Sequence, residues 1–259
     1  MNDSWDVNQS MIDLYIEACK DFVSNDNKFD TFKQDSRYIP VLEHVDKEES
    51  LLYISEMKSK ELITDSVLNS VKENDKYGSS TVFEYDELGL ISPSTIRYIK
   101  SSLDILDYFG SDVDYKTILE IGGGYGGLCK VFTSFIDFNT YKLIDLPEPI
   151  RLSQKYLSKF DDIKNKINYI STEKIVSVKN IDLVISNYAF SECSKKYQQI
   201  YYEQIIQNCK KFYIIYNNFT KNNMSVDDFI SLAFDDFEIY VEYEERTNHN
   251  NYILYGTRK

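Results

Sequence analysis

The chain has 259 residues, which allows one large α/β domain or one domain with a helical attachment, and its 42% hydrophobic content is enough for a sizeable core. Its formal net charge of −13 argues against non-specific binding to nucleic acid or to an anionic membrane, both of which need basic patches. Four cysteines without a CxxC pair, and only two histidines, give no pattern for structural zinc and read as scattered reduced thiols.

The first ten residues, MNDSWDVNQS, are polar and acidic and lack the basic and apolar segments of a leader. No run approaches the ~20 apolar residues of a membrane-spanning helix. The expectation is a soluble, cytoplasmic protein that takes a small-molecule substrate and binds neither nucleic acid nor membrane. A homo-oligomer stays open.

Residues 1–110 read as a helical N-terminal region on the cap or substrate side. Met11, Leu14, Ile16, Ala18 and Phe22 give a broad apolar helical face, and apolar spacing continues helically from Leu51 to Val71. Ser92 is a predicted N-cap with Pro93 at the first helical position, and Gly110 is a predicted stop. His44 lies outside any motif and reads as a surface residue.

From Lys116 the rhythm changes. Short runs rich in Ile, Val and Tyr (KTILEI, TYKLIDL, INYIS, IDLVISNY, KFYIIYNN) alternate with amphipathic stretches at 126–135, 149–160, 195–209 and 225–234. That alternation predicts a parallel sheet with helices on both faces. The last two strand-like runs, FEIYVEYEER and NNYILYGTRK, have no helix between them and predict an antiparallel hairpin closing the sheet. The expected fold class is therefore α/β, with the sheet domain spanning residues 111–259.

Five of the nine glycines fall within 122–127, directly after the strand run ILEI. Glycine there permits positive φ and lets backbone N–H groups approach a ligand with no Cβ in the way. Strand, glycine loop, helix is the form of a nucleotide-cofactor site at the carboxyl end of a sheet. Asp145, at the end of the next strand run, is placed to accept from both ribose hydroxyls. Gly122, Gly124 and Gly127 satisfy GxGxxG, which reads as a nicotinamide-dependent oxidoreductase. Glu120, Gly122, Gly124 and Gly126 equally satisfy ExGxGxG, which resembles motif I of class I S-adenosylmethionine-dependent methyltransferases. Glu120 inside the first strand, the long helical lead and the terminal hairpin favour the second reading. They imply a Rossmann-like, seven-stranded sheet and S-adenosyl-L-methionine as cofactor.

The strings FEYDELGLISPSTIRYI, LIDLPEPIRLSQKYL, ISNYAFSECS and NHNNYILYG resemble the sugar O-methyltransferases of bacterial surface-polysaccharide loci, over roughly residues 75–259. The resemblance implies methyl transfer to a hydroxyl of a sugar or nucleotide-linked sugar in capsule synthesis; a phosphoryl or phosphoramidate-type acceptor stays open. It places Glu120, Gly122, Gly124 and Gly126 at the methionine part of the cofactor, Asp145 at the ribose and Leu146 at the adenine. Arg97 closes over the cofactor carboxylate, and Asn187 and Tyr188 lie beside the transferable methyl. Removing the hydroxyl proton calls for a base. The candidates are His249, in the turn 247–250 at the carboxyl edge, and Glu192. Lys195 and Lys196 either meet a phosphate, if the acceptor is a nucleotide-linked sugar, or only solvate a helix start. The acidic pairs at 161–162, 227–228 and 235–236 read as solvated helix faces, and no metal is required.

Overall fold

Apolar spacing in the N-terminal third produces several short helices. The computed structural model describes residues 9–111, 115–175, 177–217, 222–244 and 251–259. Helix α1 (Gln9–Ser24) buries Ala18, Cys19 and Phe22, and the single turns α2 (Asp26–Phe29) and α3 (Ile39–Leu42) follow. The stretch from Leu51 to Val71, expected to be helical throughout, divides in two. The first part, α4 (Lys47–Glu56), starts on Asp46, whose side chain accepts from the Glu49 N–H. The chain turns through Ser59 at φ 52°, and α5 (Asp65–Lys72) restarts on the Thr64 hydroxyl, which accepts from the Val67 N–H. Helical spacing carries across the break, but Thr64 offers a second cap that ends the continuity.

A small antiparallel hairpin, β1 (Phe83–Tyr85) and β2 (Gly89–Ile91), comes next. Three-residue strands are too short to show a period in sequence. Helix α6 (Pro93–Phe109) begins and ends as expected: the Ser92 hydroxyl accepts from the Thr95 N–H, Pro93 occupies the first turn, and Gly110 follows at φ 96°.

Seven strands build the main sheet: β3 (Thr117–Ile121), β4 (Thr140–Asp145), β5 (Ile167–Ser171), β6 (Ile181–Asn187), β7 (Cys209–Asn217), β8 (Phe237–Glu244) and β9 (Asn251–Arg258). Their order is β5-β4-β3-β6-β7-β9-β8. The first five are parallel, and β9 runs antiparallel between β7 and β8. This is the seven-stranded, Rossmann-like α/β sheet expected from the sequence, with its terminal antiparallel pair. The helices of this half are α7 (Gly127–Phe132), α8 (Pro147–Leu157), α9 (Ala189–Glu192), α10 (Lys195–Gln204) and α11 (Val226–Ala233).

Side-chain alternation divides the strands between two cores. Ile118, Leu183, Ile185, Tyr213 and Ile215 pack under α6, α7 and α8, in one cluster with Phe22, Phe32, Tyr38 and Tyr53 of the N-terminal region. Leu119, Val184, Phe212 and Ile214 pack under α10 and α11. The strand order reverses between β3 and β6, so the loop after β3 opens at the switch point where this class of sheet binds ligands.

One buried polar group joins the N-terminal region to that loop. The Asn74 side chain donates to the Tyr125 hydroxyl (3.0 Å) and to Thr95 Oγ1 (2.8 Å), and accepts from the Tyr156 hydroxyl (2.7 Å). Asn74 and both tyrosines are fully buried. Removing the amide leaves buried hydroxyls short of partners, at about 1–3 kcal/mol for each group stranded. Asn74→Ala is therefore expected to lower the unfolding free energy by about 2–3 kcal/mol in urea titrations with an unchanged m-value. A loss below about 0.5 kcal/mol would mean the network rearranges around the gap and does not hold the loop.

Candidate active site

The carboxyl ends of β3, β4 and β6 open into a cavity of about 630 Å³. The sheet supplies its floor. Glu120, Gly122, Gly123 and Gly124 come from β3 and its loop, Asp145 and Leu146 from the end of β4, and Asn187, Tyr188, Ala189 and Glu192 from the end of β6 and α9. Asn217 at the end of β7 and Asn251 at the start of β9, paired in register, complete that edge. Arg97 of α6 enters from the side. Ten of the eleven residues expected from sequence thus fall among described residues, and nine of them line this one cavity. The exception is Gly126, which caps α7 at φ 91° and packs against Leu157. His249, with its turn at 247–250, lies outside the described residues.

The roof comes from elements in which the sequence showed no motif. Met11, Ile12 and Tyr15 of α1, Pro40–Leu42 of α3, His44, Asp46, and Glu48, Glu49 and Leu52 of α4 all line the cavity. His44 is exposed, as a surface residue would be, but it opens to the cavity. In sequence these apolar residues could not be told from core positions of amphipathic helices.

Two glycines show why the loop needs them. At Gly122 (φ 78°) a Cβ would stand 2.0 Å from the Ala189 Cβ, so the first turn of α9 crosses directly over the loop. At Gly124 (φ 55°) a Cβ would come within 2.7 Å of Leu42 Cδ1, so the roof rests on the loop itself.

Asp145 binds the loop as well as facing the cavity. Its Oδ2 accepts from the Gly124 N–H (2.8 Å) and its Oδ1 from the Leu146 N–H (2.7 Å). Burial raises its pKa to about 6, against the pull of those two bonds. Glu120 is 3% exposed, and its Oε2 accepts from the Tyr141 hydroxyl at 2.8 Å. Burial pushes its pKa up to about 8, opposed by Tyr141 and assisted by Asp145. No cation lies within ion-pair distance of Glu120 among the described residues, and no carboxylate lies within that distance of Arg97.

At the other end of the cavity, Tyr188 is held at φ 68°, a conformation a bulky residue rarely adopts outside functional sites. Its carbonyl accepts from the Ser191 hydroxyl (2.7 Å) and the Glu192 N–H (3.2 Å), which fixes the turn from β6 into α9. Glu192 Oε1 accepts from Asn217 Nδ2 at 2.9 Å, and burial raises its pKa while that bond lowers it. Lys195 and Lys196 lie away from the cavity, and Lys195 faces Asp228 at 3.5 Å. Of the acidic pairs, Asp161 meets Lys164 and Asp236 accepts from Tyr202.

No known family profile and no curated protein matches the chain. Solved structures do match it at low identity. TrmK of M. capricolum, in complex with the cofactor product S-adenosyl-homocysteine, is 16% identical with a TM-score of 0.46, over 63% of this chain and 68% of that one. A SAM-dependent methyltransferase from Aquifex aeolicus is 14% identical with a TM-score of 0.48, over 61% and 89%. Magnesium protoporphyrin IX methyltransferase (ChlM) from Synechocystis PCC 6803, with bound SAH, is 11% identical with a TM-score of 0.49, over 63% and 87%. Each is a likeness of fold.

The raised Glu120 pKa sets a pH dependence of stability. The folded chain keeps this proton up to about pH 8, while the unfolded chain releases it near the ordinary value of about 4.3. The stabilisation is full below that ordinary value and is lost as pH rises through about 8, because unfolding then releases a proton. Asp145 acts in the same direction up to about 6. Melting of the ligand-free protein is expected to fall between pH 5 and pH 8.5, and Glu120→Gln should flatten most of that fall. Parallel pH profiles for the two proteins would show that Glu120 is ionised throughout.

Proposed function

We propose that this chain is an S-adenosylmethionine-dependent O-methyltransferase whose acceptor is a sugar hydroxyl, acting in surface-polysaccharide synthesis. The observation that carries the cofactor is a pair of buried ionisable groups in one cavity, Glu120 and Arg97, neither of which has an ion-pair partner among the described residues. An α-amino acid group complements both: its carboxylate meets the buried Arg97 guanidinium, and its ammonium favours the carboxylate form of Glu120 that burial alone disfavours. The side-chain-free floor at Gly122–Gly124 and the Asp145 carboxylate fit the nucleoside end. A dinucleotide offers no ammonium for Glu120.

When bound, the sulfonium supplies an electrophilic methyl group, and the transfer is an in-line displacement. The chain's part is to align the acceptor oxygen, keep water out and take the hydroxyl proton. Met11, Ile12 and Leu52 give the cavity an apolar wall against water. Glu192, held by Asn217, is the base among the described residues, and its raised pKa makes it a stronger proton acceptor than an ordinary carboxylate. Tyr188 and Asn187 border the transfer path. Arg97 is the only Lys or Arg among the described lining residues, against Asp46, Glu48, Glu49 and Glu192. That balance favours an uncharged polyol over a phosphorylated acceptor. The resemblance of four sequence strings to the sugar O-methyltransferases favours the same acceptor class.

Calorimetry tests the cofactor. Micromolar binding of S-adenosylhomocysteine with none of NAD or NADP is expected, and the reverse pattern would replace the reading with an oxidoreductase. Asp145→Ala should weaken S-adenosylhomocysteine by about 1.5–3 kcal/mol, through two ribose hydroxyls that lose a charged acceptor. An unchanged dissociation constant would remove Asp145 from the ribose.

Glu192→Gln should lower kcat on a sugar acceptor by about 10²–10⁴-fold with cofactor affinity nearly unchanged. If His249→Asn causes that loss and Glu192→Gln is mild, the base is His249.

A further inference from the structure

Arg97 is 5% exposed, yet its fixed contacts are all with uncharged groups. Nη2 donates to the Leu42 carbonyl at 3.1 Å, and Nη1 lies 3.4 Å from His44 Nε2. The Tyr98 ring stands 5.3 Å from the guanidinium carbon. Both Leu42 and His44 belong to the roof, which is tied to α6 again by the Ser94 hydroxyl donating to Glu43 Oε2 at 2.8 Å.

A guanidinium only donates, so the His44 nitrogen facing it must present a lone pair. That places the ring proton on Nδ1, and a hydrogen bond to the Val41 backbone engages the ring as well. The ring keeps an accessible edge toward the cavity, but the protein packed around the rest of it desolvates it, and that, followed by the Arg97 charge, lowers the imidazole pKa. The ring is neutral across the physiological range, so it orients Arg97 without consuming its charge. A carboxylate in the same place would neutralise Arg97 and leave nothing for a ligand.

We infer that His44 is a positioning residue that aims the Arg97 guanidinium at the carboxylate of the bound cofactor. The inference rests on the cofactor reading given above. It also gives the motif-free N-terminal region a direct part in the site: the roof reaches over the glycine loop through Leu42 and turns Arg97 through His44.

The test compares two probes, S-adenosylhomocysteine and 5′-methylthioadenosine. They share the nucleoside and thioether, but only the first carries the amino-acid carboxylate. His44→Ala should weaken S-adenosylhomocysteine about tenfold while 5′-methylthioadenosine changes less than twofold. His44→Gln, whose amide oxygen can accept from Arg97, should recover most of the loss. The second probe also reports whether the variant keeps its fold. An equal loss on both probes, or no loss on either, overturns the role of His44. Arg97→Ala is the companion: if it leaves the ratio of the two affinities unchanged, Arg97 does not meet the carboxylate and the inference falls with it. Failure of the wild-type protein to bind either probe overturns the cofactor reading itself.

Discussion

The site depends on a hydrogen bond made on the far side of the glycine loop from the cavity. A run of five glycines has no side chains with which to hold its own shape, and the backbone entropy of such a run works against any fixed conformation. Tyr125, in the middle of the run, supplies the missing anchor. Its ring is buried among Phe32, Tyr98 and Tyr156, and its hydroxyl accepts from Asn74. Lys33 lies 4.6 Å from the centre of the same ring and donates to the Asn74 carbonyl at 2.7 Å. The loop can therefore be bare where it faces the cavity, because it is held from behind.

That arrangement couples the two parts of the chain. Lys33 and Asn74 come from the N-terminal region, Tyr125 from the sheet domain, and all lie at the edge of one continuous core. On the opposite side, Leu42 rests on Gly124 and Asp145 ties the Gly124 N–H. The loop is thus held by the N-terminal region on both sides. Displacing the roof would change the glycine loop as well as the entrance above it.

The fold was legible in the sequence where local chemistry decides it. Ser92, Pro93 and Gly110 announce α6 because caps act within four residues, and the β-branched runs announce strands because each packs against a known kind of surface. The division at Ser59 was not legible, since apolar spacing continues through it and only the Thr64 cap marks the restart. The floor of the site was legible for a related reason: ExGxGxG and the acid after the next strand are set by sheet geometry, and strand direction brings Asn187 and Glu192 to the same edge. The roof was not. Met11, Ile12, Leu42 and Leu52 have the spacing of ordinary core residues, and what makes them cavity residues is a tertiary placement that no local pattern encodes. His44 carried no sequence signal at all, because it lies between α3 and α4 and its partner is 53 positions away on α6.

This division between floor and roof has a physical consequence for specificity. In the proposed reaction Glu120, Arg97, the glycine loop and Asp145 would answer to groups that any user of the same cofactor must bind: an ammonium, a carboxylate, two ribose hydroxyls. Those residues would not distinguish one acceptor from another. Discrimination requires contacts that one acceptor makes and its competitors cannot, and the groups left for that purpose are Asp46, Glu48 and Glu49 above, with Glu192, Asn217 and Asn251 at the sheet edge. In the proposed site the acids of the roof would disfavour phosphorylated molecules, and the carboxamides at the edge can both donate to and accept from hydroxyls. On that reading acceptor choice would fall on side chains that the cofactor does not need, two of them, Glu48 and Glu49, carried by α4, which also forms the wall of the cavity. Such a site can change its acceptor by substitutions in α4 without disturbing the glycine loop, because Leu42 and Tyr125 hold that loop through different residues.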